Sequence, residues 1–288
     1  MSLSPSPVDS IRASLGEHPV RLADGSLAWV DIGAGDLYRL SPDGTHIVEH
    51  LHEGVGCAAP AKDGGMVVAT SKTFQRFDAS GNRVGAPIVP VDLPMECFFN
   101  DGACDPAGRF LAGTSTTERT AGAATLYALE PDGTVRVVLE GVTESNGIAW
   151  SPDGGTMYYV DSGNQEVLAF PYEVSAGRLG TPRVVTAIDP AAGVPDGLAV
   201  DVEGNLWLGL WDGWGMRRYT PSGTLLDVVS FPVQHVTCAG FGGAELNVLY
   251  VATASSYLSD REHAAQPLAG ALFRLDAPVP GHPVWEFG

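Results

Sequence analysis

"SNGIAWSPDGGTMYYVDS" (Ser145–Ser162) and "PDGLAVDVEGNLWLGLW" (Pro195–Trp211) follow one plan. Each opens on a short oxygen-bearing side chain beside a glycine, Asn146 in the first and Asp196 in the second. Each then runs through an apolar stretch, an acidic glycine turn and a strand-like segment. Polar residues that enter an apolar run need partners, or they cost stability. The same plan recurs along the chain. Strand-like segments follow glycine turns at "GSLAWVDI" (Gly25), "GGMVVATS" (Gly64), "GRFLAGTS" (Gly108), "GTMYYVDS" (Gly155), "GNLWLGLW" (Gly204) and "LNVLYVAT" (Leu246). Their starts lie 39, 44, 47, 49 and 42 residues apart.

A second strand follows each of these, for example "DLYRLSPDG" from Asp36 and "TLYALEPDG" from Thr125. A third set reads "THIVEHL", "RVGAPIV", "VRVVLEG", "PRVVTAI", "LLDVVSF" and, at the C-terminus, "HPVWEFG". With one strand before each glycine turn, every repeat holds four. A four-stranded unit repeated six times at this period predicts an all-β chain: a six-bladed β-propeller with four antiparallel strands per blade. One domain over 1–288 is expected, with 1–9 as a loose N-terminal segment. "SIRASL" near the N-terminus resembles the third set, so the two chain ends should meet in one blade.

Eight or nine residues before each turn lies the start of the innermost strand. The residues there are Glu17, Gly56, Asn100, Asn146, Asp196 and Thr237. Equivalent positions in a propeller sit at equal depth around the central channel. Glu17, Asn100, Asn146 and Asp196 should therefore converge, although they are far apart in sequence. Two carboxylates and two amides, without sulfur or imidazole, make a hard-oxygen set. Close carboxylates repel unless a cation neutralises them. That set suits Ca²⁺, Mg²⁺ or Mn²⁺ better than a structural zinc, so one divalent ion in the central channel is expected, Ca²⁺ foremost, with Fe²⁺ or Zn²⁺ also to be tried. The competing reading treats Asn-Gly and Asp-Gly as ordinary turn dipeptides.

Composition narrows the function classes. The chain has 288 residues, 44% apolar and 17% charged, with a formal net charge of -18. That charge repels phosphate backbones, which argues against nucleic acid. Cys57, Cys97, Cys104 and Cys238 form no CxxC pair, which suits free thiols in a reducing cytoplasm. The first residues lack the pattern of a secretory leader, and no stretch is apolar enough to span a membrane as a helix. No Gly-x-Ser-x-Gly elbow is present. His50 and His52 fall in an outer strand, and the oligomeric state is not legible.

The motifs resemble those of the SMP-30/gluconolactonase/regucalcin-like family. "LGEHPV" is similar to that family's GEGP opening, and "FNDGACDPAGRFLAGT" to its RxNDGxxDxxGRxxxGT stretch. The two segments quoted first resemble its NGxxxSPDGxxxYxxDS and PDGxxxDxxGxLWxAxWxG stretches. The resemblance covers nearly the whole chain, in order. It implies metal ligands at Glu17, Asn146 and Asp196, and substrate contacts at Asn100 and at Glu118 on the loop from Ser115 to Ala124. It further implies metal-assisted hydrolysis of a small-molecule lactone, of the sugar (aldono)lactone type. Asp196 would take a proton from the attacking water, with hydroxide on the ion as the competing base. Two residues depart from the pattern. His18 replaces a glycine, and Phe98 replaces the arginine of RxN. Phe98 offers no charged fork to substrate oxygens. A less polar lactone, another ester or phosphotriester, or a non-catalytic binding propeller are the alternatives this opens.

Overall fold

The computed structural model describes residues 3–90 and 93–288. Six antiparallel sheets follow one another along the chain, and each is a blade. Their innermost strands are Gly16–Arg21, Val55–Pro60, Cys97–Cys104, Ser145–Trp150, Val194–Val200 and Val236–Gly242. Each inner strand contacts the next, and the sixth contacts the first, so the ring is closed. Within blades one to five, strands step outward in sequence order. The acidic glycine turns connect inner to second strands; Gly25, Gly64, Gly108 and Gly204 all have positive φ, a conformation that favours glycine.

Blade six departs from the expected order. Its outermost strand is Ser6–Pro7, paired with Phe273–Asp276. Part of the segment expected to be loose is thus a ring-closing strand; Met1 and Ser2 lie outside the described residues. "HPVWEFG" forms no blade strand. Instead Gly281 bridges to Asp201 and Phe287 to Ala61, so the C-terminal segment crosses from blade five to blade two. Its residues 282–285 line the lower end of the channel. Proline at 280 and 283 explains the loss: proline lacks the N–H that a ladder needs. Blade four gains a small extra strand, Arg178–Leu179.

The apolar residues sort into six clusters, one at each blade interface. Phe74, Phe99, Phe110 and Tyr127 fill the space between blades two and three, and Trp207, Phe241 and Phe273 that between five and six. Burying one such side chain stabilises by about 1.5–3 kcal/mol. Outer strands alternate poorly and stay exposed, as at Ile47, Val84 and Val228. His50 lies on such an edge, paired with Asp36 at 2.6 Å. All four cysteines are free and buried, and no helix among the described residues is long and apolar enough to cross a membrane.

Candidate metal and substrate site at the channel mouth

All six inner strands break register at the same point. The breaks lie between Glu17 and Val20, Val55 and Cys57, Phe99 and Gly102, Ser145 and Ile148, Pro195 and Leu198, and Val236 and Ala239. A β-bulge re-aims side chains, and here it turns each oxygen-bearing residue toward the axis. The glycines beside them serve packing rather than a turn. A Cβ on Gly147 would stand 2.6 Å from Leu198 Cβ, and one on Gly197 2.5 Å from Cys238 Cβ. Gly56 is pressed against Phe99 O in the same way, at 2.6 Å. The dipeptides Asn146-Gly147 and Asp196-Gly197 are therefore strand bulges, and the turn reading fails.

Glu17, Asn100, Asn146 and Asp196 line one cavity of about 220 Å³. Phe98, Arg119, Glu144, Ser162, Trp211 and Tyr257 complete much of its wall. Glu118, in contrast, is exposed on its loop and lies outside that lining. Its neighbour Arg119 takes the place at the cavity, with Nε 3.1 Å from Glu144 Oε1. The guanidinium that Phe98 withholds is thus available from another element. Trp211 stacks on His235 at 3.8 Å and meets Tyr257 edge-on at 5.9 Å, giving an aromatic side to the mouth.

A hydrogen-bond relay positions the oxygens. Asn146 Nδ2 donates to Ser162 Oγ at 3.1 Å, and that hydroxyl donates to Pro195 O at 2.6 Å. Asn100 Nδ2 donates to Ser145 O at 2.9 Å, and Thr237 Oγ1 to Gly16 O at 2.6 Å. The carbonyls just before Glu17, Asn146 and Asp196 are each held by a side chain of the preceding blade. With their NH₂ groups so engaged, both asparagines keep an amide oxygen for the channel. Asp31 and Asp161 anchor the approach loops: they accept from the amides of Ser14 and Leu15, and of Thr143 and Glu144.

The donor set fits a cation. Asp196 Oδ1 is buried without a hydrogen-bond partner, although buried oxygens are normally satisfied. Burial pushes the Glu17 carboxyl well above the usual carboxylate range, and the charges of Asp196 and Asp101 push it further. Burial does the same to Asp196, reinforced by Glu144 and Asp101. Burial also raises Glu144, against the pull of Arg119. A divalent ion among these oxygens would remove the repulsion and occupy the free lone pairs.

Sequence reasoning missed Arg119, Glu144 and Ser162, whereas Trp211 was legible as channel rim and the loop from Tyr257 as a candidate wall. Arg119 sits one residue from the expected Glu118, and only the loop's path decides which of them lines the mouth. Ser162 ends the quoted first segment, but its cross-blade bond has no local signature.

A family model described as "SMP-30/Gluconolactonase/LRE-like region" matches residues 15–255. Regucalcin of Danio rerio is 35% identical over 91% of this chain and 90% of its own length. A 6-deoxy-6-sulfogluconolactonase of Pseudomonas putida is 34% identical over 93% and 92%. Among solved structures, a calcium-binding protein, regucalcin, from Agrobacterium tumefaciens superimposes with a TM-score of 0.92 at 27% identity, over 100% of this chain and 98% of that one.

Proposed function

The chain belongs to the SMP-30/gluconolactonase/LRE-like family, and from that premise we propose that it is a divalent-metal-dependent lactonase acting on sugar-acid lactones. The observation that carries this reading is the convergence of Glu17, Asn146 and Asp196 in one mouth cavity, with Asp196 Oδ1 unpartnered. Glu17, Asn146 and Asp196 would hold the ion, Ca²⁺ in the first instance, as the hard-oxygen chemistry favours. When bound, it supplies Lewis-acid polarisation of the ester carbonyl.

The protein's own groups do the rest. Asp196 accepts the proton of the attacking water through the oxygen not engaged as a ligand. Asn100 offers its amide oxygen to a ring hydroxyl. Arg119, tethered to Glu144, offers a planar fork to an anionic or polyhydroxylated end of the substrate. Trp211 and Tyr257 cover the ring and exclude bulk water. The related sulfogluconolactonase is named for an anionic sugar lactone, which agrees with the arginine at this mouth. Glu118, at the rim, would meet only the solvent-facing end of a substrate.

The aromatic side of the mouth, with Phe98 and Trp211, favours a second reading: a less polar lactone or ester bound by the same metal. A panel of aldonolactones, aliphatic lactones and aryl esters, assayed on metal-stripped protein with ions restored singly, separates the two. Turnover confined to aldonolactones supports the first reading. Preference for aliphatic substrates supports the second. Tight ion binding without any turnover would leave a binding propeller.

A further inference from the structure

At blades one and three the inner-strand bulge presents two consecutive residues to opposite ends of the channel. The first faces the mouth cavity, as Glu17, Asn100 and Asp196 do. The second position of blades one, three and six faces a separate cavity of about 100 Å³ beneath it, lined by His18, Asp101 and Cys238 and floored by the C-terminal segment. Blades four and five place Gly147 and Gly197 at the second position, pressed against the next blade. Blades one, three and six place an imidazole, a carboxylate and a thiol there instead.

These three groups meet. His18 Nδ1 lies 2.8 Å from Asp101 Oδ1, and both, with Cys238 Sγ, fall within 4.8 Å of one another. His18 also holds φ at 54°, the left-handed region that glycine adopts without cost and a β-carbon does not. A strained side chain kept at a convergent position is an outlier that points to use. The donor chemistry differs from that of the mouth. One nitrogen, one oxygen and one sulfur suit a borderline ion, whereas the mouth offers oxygen alone. Ligands of tetrahedral zinc, at about 2.0–2.3 Å from the ion, stand roughly 3.3–3.8 Å apart. His18 Nδ1 and Asp101 Oδ1, at 2.8 Å, stand somewhat closer than that, all three donors lie within 4.8 Å, and the cavity leaves room for water as a fourth ligand.

We infer that His18, Asp101 and Cys238 form a second metal site, selective for Zn²⁺ or a similar borderline ion, on the floor side of the bulge ring. It ties together three inner strands, two of which are not neighbours of the third. It is independent of whether the mouth site is catalytic.

Cobalt tests it, because thiolate ligation gives Co²⁺ a charge-transfer absorption in the near ultraviolet that oxygen ligands do not. The wild-type chain, saturated with Ca²⁺, is titrated with Co²⁺. The absorption should rise to one equivalent and fall on adding Zn²⁺. It should vanish in Cys238→Ser and in His18→Gly, the latter relieving the left-handed strain and so keeping the fold. Asp196→Asn should retain it. X-ray absorption at the zinc edge of the wild-type chain needs no variant and should show one sulfur neighbour at about 2.3 Å. No charge transfer, absorption that survives Cys238→Ser, or a zinc shell of nitrogen and oxygen alone would each overturn the site.

Discussion

Asp196 shows how a single residue can be both anchored and exposed to chemistry. Its backbone is fixed by the Ser162 hydroxyl on Pro195 O, while its Oδ1 has no partner in the protein. The relay through Ser162 predicts a specific defect. Ser162→Ala should weaken ion binding about tenfold to a hundredfold, the usual effect of removing a group that orients a ligand. Isothermal titration with Ca²⁺ reads this, and unchanged affinity would show that Asn146 needs no such support. Arg119 makes a separate prediction. Arg119→Ala should raise KM for aldonolactones carrying an acidic group, with kcat nearly kept, because the guanidinium binds ground state and transition state alike. An equal fall in kcat would instead place Arg119 among the groups that act on the reacting bond.

The inner strand with its bulge is the element on which the site depends. Gly197→Ala would set a Cβ against Cys238 of the next strand, and overpacking of this kind costs about 1–3 kcal/mol. Urea unfolding should show that loss; an unchanged midpoint would mean that the strands part easily there. The elements were largely legible in the sequence because a blade repeats one pattern, and the repeat marks Glu17, Asn146 and Asp196 as equivalent. The bulge was not legible. It arises from contact between neighbouring inner strands, and Asn-Gly reads locally as a turn. The C-terminal "HPVWEFG" misled for a related reason. Its apolar residues suit a strand, yet Val284 and Trp285 line the lower end of the channel and Phe287 packs between blades two and three, while the short Ser6–Pro7, with no apolar pattern, closes the ring. Arg119 and Glu118 are neighbours on one loop, and residue type alone does not say which of them lines the cavity.

On the scale of the whole molecule, the proposed ligands Glu17, Asn146 and Asp196 come from blades one, four and five, so an ion bound there would draw the ring together. At a free concentration a hundredfold above Kd, binding adds about 2.7 kcal/mol to stability, on the order of 5 °C in Tm for a chain of this size. The pH dependence has a definite sign. The Glu17 and Asp196 carboxyls lie above their ordinary values in the ion-free fold, so that fold retains protons that the unfolded chain releases. Their contribution is complete below the ordinary carboxylate range, about 3.9–4.3, and is lost as pH rises through the raised values. On the proposed assignment, Ca²⁺ would bind the deprotonated pair. The gain in Tm from Ca²⁺ over chelator should therefore grow from acid toward neutral pH, and a gain independent of pH would contradict the assignment of these carboxylates as ligands. The most direct measurement is aldonolactone hydrolysis by metal-stripped protein, with Ca²⁺ restored, beside Glu17→Gln and Asp196→Asn. Turnover should return with Ca²⁺ in the wild-type chain and fall at least about a hundredfold in both variants. Hydrolysis that persists after chelation, or that survives both substitutions, would contradict a metal-dependent lactonase at this mouth.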